Sequence, residues 1–551
     1  MNDKFGRIFR GSILNYYSDD LPLQKFIRYL GIDNKNGLSD LGKYVSSELI
    51  EIMDFVDHKG KPELITWDLD GKRIDYVRLS PEHRSALRKL QELGVVRKSA
   101  GDENDWMYHY ISGYVISDSG IFCTLTLTAQ TAYGLKKYGD NPELKEFLEK
   151  YVNKLDPWYG ATYYSETQGG SDLGANNTVA FNEGNNWYLT GNDKYFASDA
   201  GLADGAIVTA KYAEGGVKSI GLFFVPAMNG RGELNYTIRR LKNKMGTIAV
   251  PSGEVELNRS EAYLIGEKEK GIYYAMEILT VSRIDDALAA SGIGRKALWE
   301  AYLHAERRSA FGKKLIEHPL MIRDLTTLEA ELEGAVIISL YAARLFSDAY
   351  SSRPPYDDNY NYARFISHIA KNMAAWASDH VTQYSLEIFG GIGFFEEFPM
   401  AKFHRDALVT SIWEGTSNIQ SLDMLEAIVR KNAAYMFFSK MESIKNKLKN
   451  DRAGKNIESA FNRTKEYFDS VMKSGYAECH SKDLLKKLGE LCEVTLMYDL
   501  YEKEGDERDL HSADLLFAEI YRKDEVLETS LFKMDIVDWM SNERRKTAQG
   551  K

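Results

Sequence analysis

The spacing of apolar residues changes twice along this chain of 551 residues. In the N-terminal part the apolar positions follow a helical period, and Pro142 predicts the first turn of a helix over residues 142–151. Between Gly160 and Gly266 the period shortens, and short apolar runs alternate with turns rich in Gly and Asn. After Gly271 apolar residues again recur every three or four positions. The predicted order is therefore helical, β and helical.

The second helical part predicts four long amphipathic helices. Two of them carry apolar stripes that step by three or four, and the loop at residues 352–359 separates them. A helix over residues 272–309 and another after Gly415 complete a four-helix bundle. We therefore expect a mixed α and β (α+β) fold in four parts: an all-helical N-terminal domain (1–157), a middle β-domain built as a sandwich or barrel (158–270), the bundle (271–430) and an extra C-terminal helical domain (431–551).

One N-terminal segment, residues 67–76, contains acidic residues and a glycine and so resembles part of a calcium loop. It lacks the glutamate that closes such a loop. We therefore predict a turn between two secondary-structure elements.

Composition limits the classes of function. The formal net charge of −11 argues against a nucleic-acid-binding protein as a whole, although it leaves room for a local basic face. No apolar run approaches the roughly 18 residues that a membrane-spanning helix needs. The N-terminus lacks the layout of a signal peptide, so we expect a cytoplasmic protein without membrane insertion. The cysteines, Cys123, Cys479 and Cys492, are far apart, which predicts reduced structural thiols and neither a disulfide framework nor a metal site.

The stretch Thr410-Ser-Ile-Trp-Glu-Gly-Thr-Ser-Asn-Ile-Gln420 sets one carboxylate, Glu414, between a bulky aromatic and a glycine. Desolvation beside an aromatic side chain raises the pKa of a carboxyl group and suits a general base. Gly415 also lets the backbone approach a large ligand closely. The same residues fit an exposed helix start with Thr416 or Ser417 as N-cap. From these residues alone both interpretations stay open.

Four further motifs lie elsewhere in the chain. They are Tyr164-Ser-Glu-Thr-Gln-Gly-Gly-Ser-Asp172, Lys194-Tyr-Phe-Ala-Ser198, Glu306-Arg-Arg-Ser-Ala-Phe-Gly-Lys313 and Glu387-Ile-Phe-Gly-Gly-Ile-Gly393. Taken singly, the first three also fit a glycine-rich turn, a half-buried strand and a basic helix end. The fourth lacks the G-x-G-x-x-G spacing and a preceding strand, which excludes a Rossmann dinucleotide site.

The order of the domains, together with these motifs, resembles the acyl-CoA dehydrogenase family of flavoproteins over residues 110–430. The resemblance implies a middle β-barrel, an FAD cofactor and oxidation of an acyl-CoA at its α,β bond. In the family a motif glutamate removes the α-proton, and the β-hydrogen leaves as hydride to flavin N5. Glu414 is therefore the expected catalytic base, and its backbone N–H, with a hydroxyl of the flavin ribityl chain, is expected to stabilise the thioester oxygen. Some branches carry the base near Arg283, but this chain offers only Ser282 there.

The resemblance also implies roles for the other motif residues. Ser165 would hydrogen-bond the flavin edge, Phe196 would cover a flavin face, and Arg308 would grip the FAD diphosphate in a neighbouring subunit. The expected cofactor-binding residues are Thr162, Tyr164, Ser165, Gly170, Ser171, Phe196, Ala197, Ser198, Arg308, Phe311, Leu315, His318, Glu387, Gly390, Gly391, Trp413, Thr416 and Asn418. The expected substrate-side residues are Ser171, Arg283 and Gly415. Arg283 fits a structural role equally, and no metal is expected.

Several departures point within the family to the AidB-type branch, the alkylation-response relatives. Glu387 stands where most members carry glutamine, and Ser-Ile-Trp-Glu-Gly replaces Tyr-Glu-Gly. The chain also continues for about 120 helical residues beyond the family core, with apolar stripes such as Leu484, Leu485, Leu488 and Leu491.

In AidB-type proteins the corresponding C-terminal domain is linked to duplex DNA binding, which needs a sustained basic surface. Residues 440–487 hold 12 Lys and Arg against 7 Asp and Glu, whereas residues 488–551 hold 9 against 16. The basic positions Lys445, Lys447, Lys449, Arg452 and Lys455 fit either phosphate contacts or a solvated helix face. The acidic sum disfavours DNA, and a role in oligomer formation fits the domain better.

We therefore expect a cytoplasmic homotetramer that acts as an FAD-dependent acyl-CoA dehydrogenase in fatty acid metabolism. It would pass electrons to an acceptor such as an electron-transfer flavoprotein. Two alternatives stay open. One is an AidB-type flavoprotein of the alkylation stress response with weak dehydrogenase activity and DNA binding, and the other is a regulator that sequesters acyl-CoA.

Overall fold

The computed structural model describes residues 14–33, 36–184 and 186–541. The described residues form two compact units. The first, here called the β unit, contains residues 51–112 and 118–285. The second, the bundle unit, contains the described residues up to position 50, residues 113–117 and those from position 286 onwards. The four-part division expected from the sequence stays a prediction.

Helices make up most of the structure. In chain order they are α1 (Leu21–Tyr29), α2 (Leu38–Tyr44), α3 (Ile50–His58), α4 (Pro81–Glu92), α5 (Arg97–Ala100), α6 (Trp106–Ile116), α7 (Ser119–Tyr138), α8 (Pro142–Tyr151), α9 (Gly271–Arg307), α10 (Pro319–Asp348), α11 (Asp358–Phe389), α12 (Pro399–Thr410), α13 (Ser417–Lys431), α14 (Ala433–Lys445), α15 (Asp451–Lys473), α16 (Ser481–Glu504) and α17 (Glu507–Tyr521). The helix predicted over residues 142–151 is confirmed as α8. Its N-cap Asn141 accepts a hydrogen bond of 2.8 Å from the Leu144 N–H, ahead of a proline in the first turn.

The strands are shorter and lie mainly in the middle of the chain. They are β1 (Glu63–Trp67), β2 (Arg73–Arg78), β3 (Gly160–Tyr163), β4 (Val179–Glu183), β5 (Asn186–Ser198), β6 (Gly205–Lys211), β7 (Ile220–Pro226), β8 (Thr237–Leu241), β9 (Ser252–Leu264), β10 (Ser309–Ala310) and β11 (Lys313–Lys314). The sequence predicts strands at the apolar runs 178–181, 187–190, 206–212 and 220–225, and these runs match β4 to β7.

The middle strands close into a barrel. Strand β6 pairs with β4 and β7, β4 with β5, β5 with β9, and β9 with β7, so the pairing returns to its start. Strand β3 adds in parallel to β6, and β8 adds antiparallel to β9. Alternate side chains such as Val208, Phe223, Val255 and Leu257 fill one buried core. The barrel implied by the family resemblance is therefore confirmed.

The expectation of an all-helical N-terminal domain is wrong at one place, where β1 and β2 form an antiparallel hairpin. The turn between them is the one predicted for the acidic segment, and the Asp68 carboxylate accepts hydrogen bonds from the N–H groups of Asp70 and Lys72. Asp75 in β2 accepts a bond of 2.8 Å from the Ile238 N–H of β8. The hairpin thus depends on a strand far along the chain, which local periodicity does not reveal.

The predicted four-helix bundle is confirmed as α9, α10, α11 and α13 in the second helical part. The helices approach closely where residues are small, and buried alanines from α9, α10 and α11, among them Ala290, Ala335 and Ala374, form one cluster. A Cβ atom added at Gly294 would lie 3.1 Å from a methyl group of Leu332. A side chain at position 294 would therefore require Leu332 to move by a few tenths of an ångström.

The extra C-terminal segment is helical, as predicted, and it joins the bundle unit through buried charges. Arg508 on α17 pairs with the Glu333 carboxylate of α10, and Lys25 on α1 lies 2.8 Å from Asp509. All four side chains are buried. Burying such charges is costly unless they are paired, so these contacts hold α17 to α1 and α10.

Two further expectations concern the whole chain. The three cysteines are free thiols; Cys492 is buried, whereas Cys479 is exposed. Among the described residues, no helix is both long and apolar enough to cross a membrane.

Candidate active site

Glu414 lies in the bundle unit, on the loop between α12 and α13, and its side chain is half-buried. Its φ angle is +56°, and that of Gly415 is +102°. A residue other than glycine costs about 1–2 kcal/mol in the left-handed region. Such strain persists only where the surrounding contacts hold the backbone in place.

Two buried side chains donate hydrogen bonds to backbone carbonyl oxygens of this loop. The Lys371 ammonium donates a hydrogen bond of 2.9 Å to the carbonyl oxygen of Gly415. The Gln420 amide nitrogen donates one of 2.7 Å to the carbonyl oxygen of Glu414. His368 Nδ1 lies 2.7 Å from the Gln420 amide oxygen, which orients that amide. These contacts offset the backbone strain at Glu414.

A third contact holds the residue before Glu414. The indole N–H of Trp413 donates to a carboxylate oxygen of Asp286 on α9. The Lys371 ammonium lies 3.6 Å from the other oxygen of that carboxylate. Burial raises the pKa of Asp286 to about 8; Lys371 and the hydrogen bond from Trp413 oppose the rise, and the charge of Glu414 adds to it. The ionisation of Asp286 is therefore coupled to that of Glu414, the candidate base.

The other interpretation of this stretch, a helix start, is confirmed in part. Thr416 occupies the N-cap position of α13, although its side chain makes no capping hydrogen bond within the described structure. Thr416 and Asn418 are exposed. Both therefore present polar groups beside the Glu414 loop.

In the β unit, a buried ion pair ties the first two motifs together. The Glu166 carboxylate lies 3.0 Å from the Lys194 ammonium and accepts a hydrogen bond of 2.6 Å from the Thr178 hydroxyl. Burial alone would raise the pKa of Glu166, but Lys194 and the hydrogen bonds hold it below its ordinary value. The N–H of Tyr195 also donates to the Ser165 carbonyl at 3.0 Å. The two motifs thus form one structural element.

Glycines in the first motif make room for the Ser165 hydroxyl. A Cβ atom added at Gly170 would lie 2.2 Å from the Ser165 hydroxyl oxygen, and Gly169 has a φ of +135°. Ser165 is half-buried and Ser171 is exposed. Of the other predicted residues here, Thr162 is half-buried in β3 and Tyr164 is buried.

The second motif ends β5 and presents one aromatic ring to solvent. The Phe196 side chain is 54% exposed, and the Lys242 ammonium lies 4.7 Å from its ring centroid. Ala197 is buried and pairs with Gly253 of β9. Ser198, the last residue of β5, is half-buried. An exposed ring beside a hydroxyl can cover a flat ligand and bind its polar edge.

The third and fourth motifs meet at one end of the bundle unit. A guanidinium nitrogen of Arg308 lies 3.4 Å from the Phe389 carbonyl oxygen, at the end of α11. The hairpin of β10 and β11 follows Arg308, and Phe311 at its tip is 98% exposed. Leu315 donates its N–H to the Arg308 carbonyl at 2.8 Å, and His318 Nε2 lies 3.1 Å from the Ala310 carbonyl oxygen.

The glycines after α11 leave the space beside their backbone largely free of other protein atoms. A Cβ atom added at Gly391 would meet nothing within 4 Å, and one at Gly390 would meet only Arg308, at 3.9 Å. Gly390 also has a φ of +68°. Glu387, on the last turn of α11, is exposed. A large ligand therefore has direct access to these peptide groups.

Three family models match the chain in succession. The adaptive response protein AidB N-terminal domain matches residues 11–155, the acyl-CoA dehydrogenase middle domain residues 161–260, and the acyl-CoA dehydrogenase C-terminal domain residues 269–429. The chain belongs to the acyl-CoA dehydrogenase family. The order of the matches agrees with the helical, β and helical order of the fold.

Individual members of the acyl-CoA dehydrogenase family are similar to this chain over most of its length. The chain is 28% identical to the putative acyl-CoA dehydrogenase AidB of Escherichia coli, over 69% of this chain and 71% of that protein. It is 27% identical to acyl-CoA dehydrogenase family member 11 of Caenorhabditis elegans, over 86% of this chain and 78% of that protein. The solved structure of Caenorhabditis elegans ACDH-11 in complex with C11-CoA matches with a TM-score of 0.81 at 23% identity, over 97% of this chain and 94% of that one.

Sequence reasoning missed the buried residues behind the family motifs. Asp286, Lys371 and Gln420 contact the Glu414 loop, and Glu166 and Lys194 join the first two motifs. The sequence contains one signal for Lys371. It is a charged residue among apolar positions of α11, and a charge in such a place predicts a buried partner. Arg283, by contrast, lies on α9 and is only 2% exposed, so its role stays a prediction.

Proposed function

We propose that this chain is an FAD-dependent acyl-CoA dehydrogenase in which Glu414 is the catalytic base. The observation that carries the proposal is the strained Glu414 backbone, whose carbonyl and that of Gly415 are held by buried side chains. Backbone strain that is held in this way is typical of active sites. The carboxylate itself is half-buried, which suits a base that a ligand can cover.

The proposed reaction removes one hydrogen from each of two neighbouring carbons. The Glu414 carboxylate takes the α-proton, the β-hydrogen leaves with its bonding electrons, and a double bond forms between the α and β carbons. FAD supplies the acceptor for that hydride. The chain's own task is to hold the carboxylate near the α-carbon and to exclude water, because an α C–H next to a thioester is a weak acid.

The negative charge that develops on the thioester oxygen needs a hydrogen-bond donor already in place. We assign this role to the backbone N–H of Glu414. Gln420 and Lys371 hold the two peptide groups that follow this N–H, and Asp286 holds the side chain of Trp413 before it, so the loop is fixed on both sides of the proposed donor. We assign Gly415, Ser171 and Arg283 to the substrate side.

The donor set fits a flavin dinucleotide. The exposed ring of Phe196 and the hydroxyl of Ser198 suit a flat ring with a polar edge. The Arg308 guanidinium beside the open glycines Gly390 and Gly391 suits a diphosphate. We propose that these residues, with the other motif residues predicted from the sequence, bind FAD.

Exposed aromatic and aliphatic side chains support a homo-oligomer, which we propose to be a tetramer. In the bundle unit Phe311 is 98% exposed, Phe394 is 88% exposed and Leu320 is 68% exposed. Large apolar side chains left in water near a proposed cofactor site suggest that a second copy covers them. We further propose that an electron-transfer flavoprotein or a similar protein reoxidises the flavin.

Anaerobic bleaching of the purified yellow protein by a panel of acyl-CoA thioesters tests the proposed reaction. We expect at least one chain length to reduce the flavin and to yield the α,β-unsaturated thioester. Protein that holds FAD but is bleached by no member of the panel would refute the proposal. The same panel would establish the chain-length preference.

The Glu414→Gln variant tests the assignment of the base. It keeps the size of the side chain but cannot accept the proton, so bleaching should stop while FAD stays bound. The matched control is Glu442→Gln, which makes the same change at an exposed position on α14. If an acyl-CoA bleached the flavin of Glu414→Gln at the wild-type rate, the base would be another residue.

A second candidate function is that of an AidB-type flavoprotein with weak dehydrogenase activity and DNA binding. The match of residues 11–155 to the AidB N-terminal domain favours it. Against it, Lys445 lies 2.6 Å from Glu458, and Arg452 lies 3.0 Å from Asp514, so part of the proposed basic face is neutralised. Retention of duplex DNA at low salt and its loss at higher salt would support this function. No retention at low salt would exclude it.

A third candidate function is sequestration of acyl-CoA without turnover. The similarity in fold to the ACDH-11 complex with C11-CoA favours it. Tight binding of an acyl-CoA by protein that contains FAD, without bleaching, would separate this function from catalysis. The cytoplasmic location and the part in fatty acid metabolism stay predictions from the sequence.

A further inference from the structure

Asp286 joins the two sides of the Glu414 loop within the bundle unit. It accepts a hydrogen bond from the indole N–H of Trp413, the residue before Glu414. Its other oxygen lies 3.6 Å from the Lys371 ammonium, which in turn holds the carbonyl of Gly415, the residue after Glu414. One buried carboxylate is therefore linked to the loop on both sides of the proposed base.

We propose that Asp286 is a positioning residue for Glu414, acting through the indole of Trp413 and the ammonium of Lys371. The inference rests on the proposed function of Glu414 and deepens it. Asp286 itself lies behind the loop and is buried, so it acts on the reaction through its two neighbours.

The geometry explains why a carboxylate is needed at this position. The indole nitrogen is a donor only, and the ammonium is a donor only, so their common partner must be an acceptor. A carboxyl group supplies two oxygens: one accepts the hydrogen bond of the indole, and the other lies 3.6 Å from the ammonium, at the distance of an ion pair. Without it, the Trp413 ring would lose its anchor, and the left-handed backbone at Glu414 would lose one of its constraints.

Asp286 also acts on Glu414 through its charge. Among the described residues, the charged or titratable groups that face Asp286 are Lys371 on α11 and Glu414 on the loop, and Trp413 adds a hydrogen bond. The charge of Glu414 makes Asp286 harder to ionise, and coupling between two sites is reciprocal. Ionisation of Asp286 as the pH rises through about 8 should therefore make the Glu414 carboxylate a stronger base.

Two substitutions separate these effects. Asp286→Asn keeps the volume and one acceptor oxygen but removes the charge, whereas Asp286→Leu removes both. The matched control is Asp509→Asn, because Asp509 is also a buried aspartate paired with a lysine, 2.8 Å from Lys25. All variants are prepared as the full chain loaded with FAD.

The first measurement is the indole N–H resonance of Trp413 in protein labelled with nitrogen-15 at its tryptophans. The chain has eight tryptophans, and the resonance of Trp413 is the one that a Trp413→Phe variant loses. We expect a clear shift in both Asp286 variants, larger in Asp286→Leu, and none in Asp509→Asn. This readout does not depend on turnover. An unchanged resonance in Asp286→Asn would overturn the proposal.

The second measurement is the pH dependence of the rate of flavin bleaching by an acyl-CoA that reduces the wild type. In the wild type the rate should change as the pH rises through about 8, where Asp286 ionises beside Glu414, and this change should be absent in Asp286→Asn. In Asp286→Leu the rate should also fall, by up to about 100-fold, as expected for a misplaced reacting group. If Asp286→Leu does not fold, the Trp413 resonance and the pH dependence of bleaching in Asp286→Asn alone test the proposal.

The outcomes separate this inference from the proposed function. If the wild type is bleached but Asp286→Asn keeps both the wild-type rate and the wild-type dependence on pH near 8, the positioning role is refuted and Glu414 can still be the base. If no acyl-CoA bleaches the wild type, the proposed dehydrogenation is refuted, and the positioning role falls with it. A shifted resonance together with loss of the rate change near pH 8, both absent in Asp509→Asn, would support the inference.

Discussion

The Lys371 ammonium lies between the Gly415 carbonyl oxygen, at 2.9 Å, and the Asp286 carboxylate, at 3.6 Å. The Lys371 side chain is fully buried. One cation therefore holds the loop of the proposed base and stabilises the ionised form of a buried carboxyl group, opposing the rise that burial causes in its pKa. Loss of such a cation leaves the carboxyl group without compensation.

Lys371→Met should destabilise the protein strongly and stop flavin bleaching. Removing one partner of a buried ion pair costs about 3–5 kcal/mol in the free energy of unfolding. Urea denaturation measures that free energy. The control is Lys486→Met on α16, where the exposed lysine lies 4.0 Å from Glu490 and the pair should contribute at most about 1 kcal/mol. Equal losses in the two variants would contradict the role of Lys371.

Glu414→Gly and Glu414→Ala should differ in stability although both should be inactive. The φ of +56° costs alanine about 1–2 kcal/mol, whereas glycine adopts it freely but loses about 0.5–1 kcal/mol through the entropy of the unfolded chain. We expect the glycine variant to be more stable by about 1 kcal/mol. Thermal or urea unfolding of the two variants measures the difference. A more stable alanine variant would show that the loop relaxes out of the left-handed region.

Lys194→Met should weaken the retention of FAD and lower the stability of the β unit. Lys194 and Glu166 are fully buried and lie 3.0 Å apart beneath the first motif, so loss of the cation should cost about 3–5 kcal/mol. The pKa of Glu166 lies below its ordinary value, so its contribution is present above that value and is lost as the pH falls. FAD release during dialysis and urea unfolding measure the two effects. Lys150→Met is the control, because Lys150 pairs with Glu146 at the surface of α8.

His83 on α4 should make the stability depend on pH. Burial lowers its pKa from 6.5 to about 4, and neither ring nitrogen has a hydrogen-bond partner among the described residues. Between those values the unfolded chain binds a proton that the folded chain excludes, so stability falls as the pH falls through this window. The loss should reach about 3 kcal/mol.

The His83→Leu variant should remove this dependence. It fills the same buried place without a titrating group, so its free energy of unfolding should change less between pH 6.5 and pH 4 than that of the wild type. Urea denaturation at the two pH values measures the difference. His480→Leu, at an exposed position, should keep the wild-type dependence. An unchanged slope in His83→Leu would show that other groups cause the loss.

The sequence by itself determined the order of the elements and the identity of the candidate base. A continuous apolar run between turns and a period of three to four residues are local properties, so strands such as β7 and helices such as α8 could be read directly. The motifs also follow from short spacings. The neighbours Trp413 and Gly415 marked Glu414 as one of two interpretations, and the family resemblance made it the expected base.

Only the tertiary structure decided what holds those motifs in place. Trp413 and Asp286 are 127 positions apart, and Lys371 and Gly415 are 44 positions apart, so no local pattern joins them. The β1–β2 hairpin was missed for the same reason, because Asp75 finds its partner Ile238 only when β8 is in place. Buried charges need partners, but the sequence does not show which distant residue supplies them. The packing of the helices and strands determines which residue becomes the partner.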